Sequence, residues 1–188
     1  MKNRLFIGFK VSRKIINVID MVRSTLIDKE RYYNWLSGNN LHITLLFLDL
    51  QNSQDIDEIS TSIQKVSEEF NDFNIRVSGT GSFSKNHNNE VLWLGIEQDK
   101  NELDRINYEL KNELEKFIVD STKTSKFFPH ITVARKRKFF LNNKIDVKSF
   151  MNSVYFPMEF HVKYFTLFQS ISTEKGVRYV KIKNFPLL

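Results

Sequence analysis

The sequence contains no cysteine, which removes disulfides, thiolate nucleophiles and cysteine-ligated zinc and suits a reducing, cytoplasmic setting. Its three prolines and six glycines are scattered, so no Pro-rich linker or low-complexity segment divides the chain, and a single domain over residues 1–188 is expected. Glycine is also too sparse for a phosphate loop. Gly79-Thr80-Gly81 lacks the lysine and the length of a nucleotide-binding loop and reads as a turn. No apolar run approaches the length that spans a bilayer, and the opening Met1 to Lys10 returns to charge without the longer apolar stretch and cleavage site of a signal peptide. No membrane partner is expected.

What is present is a chain of 188 residues, 41% of them hydrophobic, enough for one buried core or for two small lobes packed together. Lys and Arg number 28 against 22 Asp and Glu, for a net charge of +6, which favours an anionic partner through long-range attraction. Four of these cations stand together in Arg135-Lys136-Arg137-Lys138.

Apolar runs of strand length alternate with longer amphipathic stretches, the pattern of an α+β or α/β domain. Leu5 to Phe9 reads as a strand. Ser12 is placed to cap a helix whose apolar positions are Ile15, Ile16, Ile19, Val22 and Leu26. Tyr32 to Leu36 and Leu41 to Leu48 read as strands joined by the turn cluster Ser37-Gly38-Asn39-Asn40, which makes them expected antiparallel neighbours. Ile56, Ile59, Ile63, Val66 and Phe70 form the stripe of a second helix. The second half repeats this order faintly. Strands are expected at Phe73 to Thr80 and Val91 to Ile96, around a solvated loop from Ser84 to Glu90. A helix follows with the stripe Leu103, Ile106, Leu110, Leu114 and Phe117. Phe128 to Ala134 is a strand entered through Pro129, and a short helix is expected near Val147 to Val154. Strands at Glu159 to Val162, Tyr164 to Ser170 and Val177 to Lys183 complete the chain, the last two joined by a hairpin turn at Ser172 to Gly176.

Two of the four histidines occur in one repeated context: His42-Ile43-Thr44-Leu45 and His130-Ile131-Thr132-Val133. On a strand, side chains alternate faces, so each His and the Thr two positions later share one surface while Ile43 and Ile131 enter the opposite layer. If the two strands lie side by side across a pseudo-twofold axis, two imidazoles and two hydroxyls converge on one cleft. Such a quartet suits a phosphate ester. Imidazole serves as acid or base near neutrality; one ring can take a proton from water while the other supplies one to the departing sugar oxygen, and the hydroxyls can bond the non-bridging oxygens. No metal and no cofactor is called for, since neither tetrad contains an acidic residue. His87 and His161 have no matching context and read as solvent-facing.

At these residues the chain resembles the two-histidine phosphoesterase superfamily, whose signature is a pair of His-x-Thr/Ser-x tetrads on central strands. Within it the chain is similar to the RNA 2′,3′-cyclic phosphodiesterase family, also described as the 2′-5′ RNA ligase family. The likeness extends over Arg4 to Phe9, Trp35 to Phe47, Gly81-Ser82-Phe83, Val91 to Gly95, Pro129 to Arg135, Leu167 to Ser170 and Phe185-Pro186-Leu187. It implies a bilobal α+β fold, two pseudo-twofold related antiparallel sheets flanked by helices with a central cleft. It also implies hydrolysis of a terminal 2′,3′-cyclic phosphate to a 2′-phosphate, with His42 as proton donor to the leaving oxygen and His130 as acceptor from water. Thr44, Thr132 and Arg135 would bind the phosphate, and Phe128 and Phe168 would border the terminal base. The expected partners are RNA ends or nucleotides carrying a cyclic phosphate, met by a monomer. Cleavage of 2′-5′ oligoadenylates, 2′-5′ RNA ligation, and a module that binds an RNA end without chemistry remain open beside this reading.

Overall fold

The computed structural model describes residues 2–26, 32–84, 90–97, 100–137, 150, 152, 158–174 and 176–188. Apart from Phe150 and Asn152, the helix expected near Val147 to Val154 lies outside them, as do residues 85–89 of the expected loop, His87 included. The elements are β1 (Lys2–Lys10), α1 (Arg13–Ser24), β2 (Tyr33–Trp35), β3 (His42–Asn52), α2 (Ile56–Ser67), β4 (Phe73–Ser84), β5 (Glu90–Ile96), α3 (Lys100–Glu113), α4 (Asp120–Thr124), β6 (His130–Lys136), β7 (Met158–Val162), β8 (Tyr164–Thr173) and β9 (Gly176–Pro186). The helices form where apolar spacing predicts them. Ile15, Ile19 and Val22 of α1, Ile59, Ile63 and Val66 of α2, and Leu103, Ile106 and Leu110 of α3 are all buried, as an amphipathic stripe requires.

The strands run in the order β7-β4-β5-β6-β3-β1-β8-β9, with β2 added to β6, and their ladders are antiparallel. The expected α+β class therefore holds, with the two tetrad-bearing strands β3 and β6 adjacent at the centre and three strands outward on either side. The final hairpin also forms as expected, Thr173 pairing with Gly176.

Two expectations are corrected. β2 pairs with β6 through Tyr33–Lys136, Asn34–Arg135 and Trp35–Ala134, not with β3. Both β2 and β3 run antiparallel to β6 along the same edge, its other edge being taken by β5. They follow one another along that edge, and the 3-10 turn Gly38–Asn40 shifts the chain forward rather than folding it back into a hairpin. Ser12 does stand at the cap of α1 in an extended conformation, but its hydroxyl makes no cap hydrogen bond and is buried without a partner. Its side chain turns inward with the start of the apolar face, so α1 is held by packing rather than by a cap.

Bulges decide which residues face the cleft. Where β3 pairs with β1, Leu45 is an extra residue between Thr44–Gly8 and Leu46–Ile7, and Leu48 is another between Phe47–Phe6 and Asp49–Leu5. Where β6 pairs with β5, Val133 is extra between Thr132–Trp93 and Ala134–Leu92. The first bulge of β3 and the bulge of β6 thus fall on the fourth position of the two tetrads. A bulge removes a residue from the ladder and leaves backbone groups needing other partners. Both carbonyls find one: the Asn107 amide of α3 donates to Leu45 O at 2.7 Å, and the Leu36 N–H donates to Val133 O at 2.9 Å. Asn107 is itself buried, so its polarity is retained for this bond. Replacing it by leucine leaves the Leu45 carbonyl unsatisfied, and Asn107→Leu is expected to lower stability by about 2 kcal/mol, read as a lower urea midpoint at unchanged slope.

Candidate functional site

The two tetrads meet at a single backbone pairing, Ile43 opposite Ile131, between the antiparallel strands β3 and β6. Continued by one residue either way, that register sets His42 opposite Thr132 and Thr44 opposite His130. The two isoleucines are completely buried and anchor the seam in the core. The histidines and threonines occupy the other face, where His42, His130 and Thr44 are partly exposed.

Each imidazole is oriented in the same way. His42 Nδ1–H donates to the Asn40 carbonyl at 2.7 Å, and His130 Nδ1–H donates to the Phe128 carbonyl at 2.8 Å. In both cases the acceptor lies two residues earlier on the chain. A carbonyl can only accept, so Nδ1 carries the proton and Nε2 is left as the working nitrogen of each ring.

Aromatic rings surround both imidazoles. His42 packs against Phe6 at 4.7 Å, Tyr179 at 4.9 Å and Phe168 at 6.1 Å between centroids. His130 packs against Phe83 at 5.1 Å, Phe128 at 6.0 Å and Trp93 at 6.4 Å. This apolar surround disfavours the imidazolium. Burial pulls His42 down to about 4, with the positive charges of His130 and Arg135 adding to the effect and the hydrogen bond to Asn40 opposing it. His130 is also held below the ordinary histidine value, first by burial and then by Arg135, against its bond to Phe128. Both rings therefore feel Arg135, and His42 feels His130, so the three groups share one electrostatic neighbourhood. At neutral pH, without a ligand, both rings are neutral and Arg135 supplies positive charge beside them.

Arg135 reaches this face because of the bulge. Five residues beyond His130, an unbroken strand would turn it to the opposite side; the extra residue at Val133 reverses the alternation. The corresponding bulge at Leu45 places Phe47 at the equivalent position of β3, where it is exposed. Of the two aromatic residues read as bordering a base, Phe128 is 48% exposed and has ring surface to offer, whereas Phe168 is 5% exposed. Phe168 lies stacked on Phe6 at 5.0 Å and backs the His42 ring at 6.1 Å. His161 is exposed as expected and bonded to Asp72 and Asn74. Among the described residues no group of three or more His, Asp or Glu is placed to hold a metal ion, and no helix is long and apolar enough to cross a membrane.

Several parts of the site have no counterpart in the residue pattern. Asn40 and Phe128 hold the imidazoles through backbone carbonyls, which every residue type possesses. Tyr179 reaches His42 from β9 at the far end of the chain. Behind Arg135, Tyr33 of β2 donates its hydroxyl to Glu90 of β5 across β6, with Lys136 of β6 in the same row. All three are buried, bracing the strand end that carries the arginine.

The family model described as the AKAP7 2′5′ RNA ligase-like domain matches residues 6–179, and the chain belongs to this family, within the two-histidine phosphoesterase superfamily. It is 27% identical over 185 residues to the RNA 2′,3′-cyclic phosphodiesterase of Aquifex aeolicus, covering 98% of this chain and 97% of that protein. It is 30% identical over 179 residues to the protein of the same name from Archaeoglobus fulgidus, covering 90% and 96%. The crystal structure of E. coli LigT complexed with 3′-AMP superposes with a TM-score of 0.76 at 20% identity, covering 100% of this chain and 99% of that one, a likeness of fold.

The depressed His42 has a consequence for stability. An unfolded-state histidine takes its proton near 6.5, whereas His42 in the folded protein does so at about 4. The unfolded state thus binds the proton first, and stability is lost as pH falls from about 6.5 toward 4. The share due to His42 is on the order of 2 kcal/mol after allowance for its partial exposure. Histidine NMR titration is expected to place His42 near 4, and His42→Gln is expected to flatten the acid side of the stability profile.

Proposed function

We propose that this protein is an RNA 2′,3′-cyclic phosphodiesterase working by imidazole acid–base catalysis. The observation that carries the reading is the pairing of two tetrads at Ile43–Ile131, with both Nδ1 atoms committed to backbone carbonyls so that two Nε2 atoms serve one phosphate. The family match and the names of the A. aeolicus and A. fulgidus relatives support it.

The cyclic phosphate binds as a monoanion between the rings, with Arg135 on its non-bridging oxygens. Its negative charge offsets the repulsion and burial that depress the imidazoles, so one ring becomes protonated as substrate enters. His130 Nε2 takes a proton from water as the water oxygen bonds to phosphorus. The bond from phosphorus to O3′ breaks, and His42 Nε2 gives its proton to that oxygen, leaving a 2′-phosphate and a 3′-hydroxyl. The assignment of His42 as donor and His130 as acceptor follows the family resemblance, and solvent restores the starting protonation. Thr44 and Thr132 hydrogen-bond the oxygens on which charge accumulates. Each step is served by this chain's own residues.

A second reading has a specific support, the ligase-like description of the matching family. If a 5′-hydroxyl of RNA takes the place of water, the same proton transfers yield a 2′–5′ phosphodiester. Product analysis with and without a 5′-hydroxyl strand separates the two.

His42→Ala and His130→Ala are each expected to reduce hydrolysis of an RNA ending in a cyclic phosphate by about 10²- to 10⁴-fold with unchanged circular dichroism. Retention of wild-type turnover by either variant removes that residue from the mechanism. The bell-shaped pH profile of kcat/KM, which reports the free enzyme, is expected to centre below 6.5, because both imidazoles are depressed. A centre above 7 contradicts the reading.

A further inference from the structure

Beside the histidine pair lies a groove of about 730 Å³ whose walls carry Arg23, Arg135 and Arg137 against one carboxylate, Glu174. The groove is continuous with the site. Arg135 belongs to both, Asn40 lines the groove and holds His42 through its carbonyl, and Tyr179 lines the groove with its ring edge-on to His42. Trp35 of β2, opposite Ala134, turns its ring away from this face and packs it against the buried Phe150. An excess of fixed cations in a groove favours an anionic occupant, and the aromatic face of Tyr179 beside them suits a nucleobase of any identity.

The spacing of the cations points to the kind of anion. The Arg137 N–H donates to the Tyr32 carbonyl at 2.9 Å, so extended pairing with the β2 side continues one residue past β6. Arg135 and Arg137 therefore share a face, their Cα atoms about 6.6 Å apart at the usual strand rise, comparable with the step between successive phosphates of a single strand. In an RNA whose 3′ end is a cyclic phosphate, the next negative group is the phosphodiester on the 5′ side of the terminal nucleoside. With the cyclic phosphate between the imidazoles and Arg135 on it, the next cation of the strand on this face is Arg137, with Arg23 on the α1 wall of the same groove.

We infer that this groove binds the phosphodiester joining the terminal nucleotide to its 5′ neighbour, and that the neighbouring nucleoside lies against Tyr179. The substrate is then an RNA chain in preference to a cyclic mononucleotide. The inference rests on the phosphodiesterase reading, and its test separates the two.

The full chain is assayed with uridine 2′,3′-cyclic phosphate, with its 5′-phosphorylated form, and with the dinucleotide carrying the same cyclic end. The dinucleotide is expected to exceed the plain mononucleotide about tenfold or more in kcat/KM, the effect of one charge-assisted contact. The salt dependence is expected to be steeper for the dinucleotide by about 0.7 in log–log slope. Arg137→Gln, at an exposed position, is expected to remove most of this advantage while its circular dichroism stays that of the wild type. Equal kcat/KM for the mononucleotide and dinucleotide overturns the inference, as does an advantage untouched by Arg137→Gln. A 5′-phosphorylated mononucleotide that matches the dinucleotide overturns the contact with the second nucleoside and upholds the phosphate site. Hydrolysis of none of the three overturns the phosphodiesterase reading itself.

Discussion

The site depends on one backbone pairing, that of Ile43 with Ile131 at the seam of β3 and β6. An antiparallel pair has a local twofold axis, so whatever flanks the paired residue on one strand is answered on the other. Here the flanking residues are His and Thr, and the symmetry brings two imidazoles and two hydroxyls to one face without any loop having to place them. The isoleucines that make the pairing are fully buried, which ties the position of the imidazoles to the packing of the core. Shifting this register by one residue would exchange the faces and bury the histidines.

The bulges at Leu45 and Val133 give this symmetry its chemical asymmetry. They fall at the same place in each tetrad and turn the next-but-one side chain toward the cleft, which is Arg135 on one strand and Phe47 on the other. One half of the site thus carries a fixed cation and the other an exposed ring. Each bulge needs support, supplied by the buried amide of Asn107 in one half and by the Leu36 backbone in the other. The aromatic surround keeps both rings neutral in the resting protein. An anion entering between them reverses that preference, so protonation and ligand binding are coupled.

The tetrads were legible in the sequence because they depend on residue type at a two-residue period, which a strand converts directly into a shared face. The helices were legible for the same reason at their own period, as Ile59, Ile63 and Val66 show. What escaped depends on tertiary geometry. The neighbour of β2 could not be read from its turn residues, because Ser37 to Asn40 serve a forward shift along β6 as readily as a hairpin. Leu45 and Val133 are ordinary apolar strand residues with nothing to mark a bulge, and without the bulge Arg135 would be assigned to the wrong face. The stacking of Phe168 on Phe6 could not be singled out in a chain with 17 phenylalanines. The carbonyls that fix Nδ1 carry no side-chain signature at all.

The central claim is that one phosphorus centre is held between two Nε2 atoms. A crystal structure of the protein with a uridine–vanadate complex, which mimics five-coordinate phosphorus, tests it most directly. The account predicts His42 Nε2 and His130 Nε2 within hydrogen-bonding distance of the two apical oxygens, with the Thr44 and Thr132 hydroxyls and Arg135 on the equatorial ones. Vanadium held by one imidazole alone, or bound away from the β3–β6 seam, would contradict it.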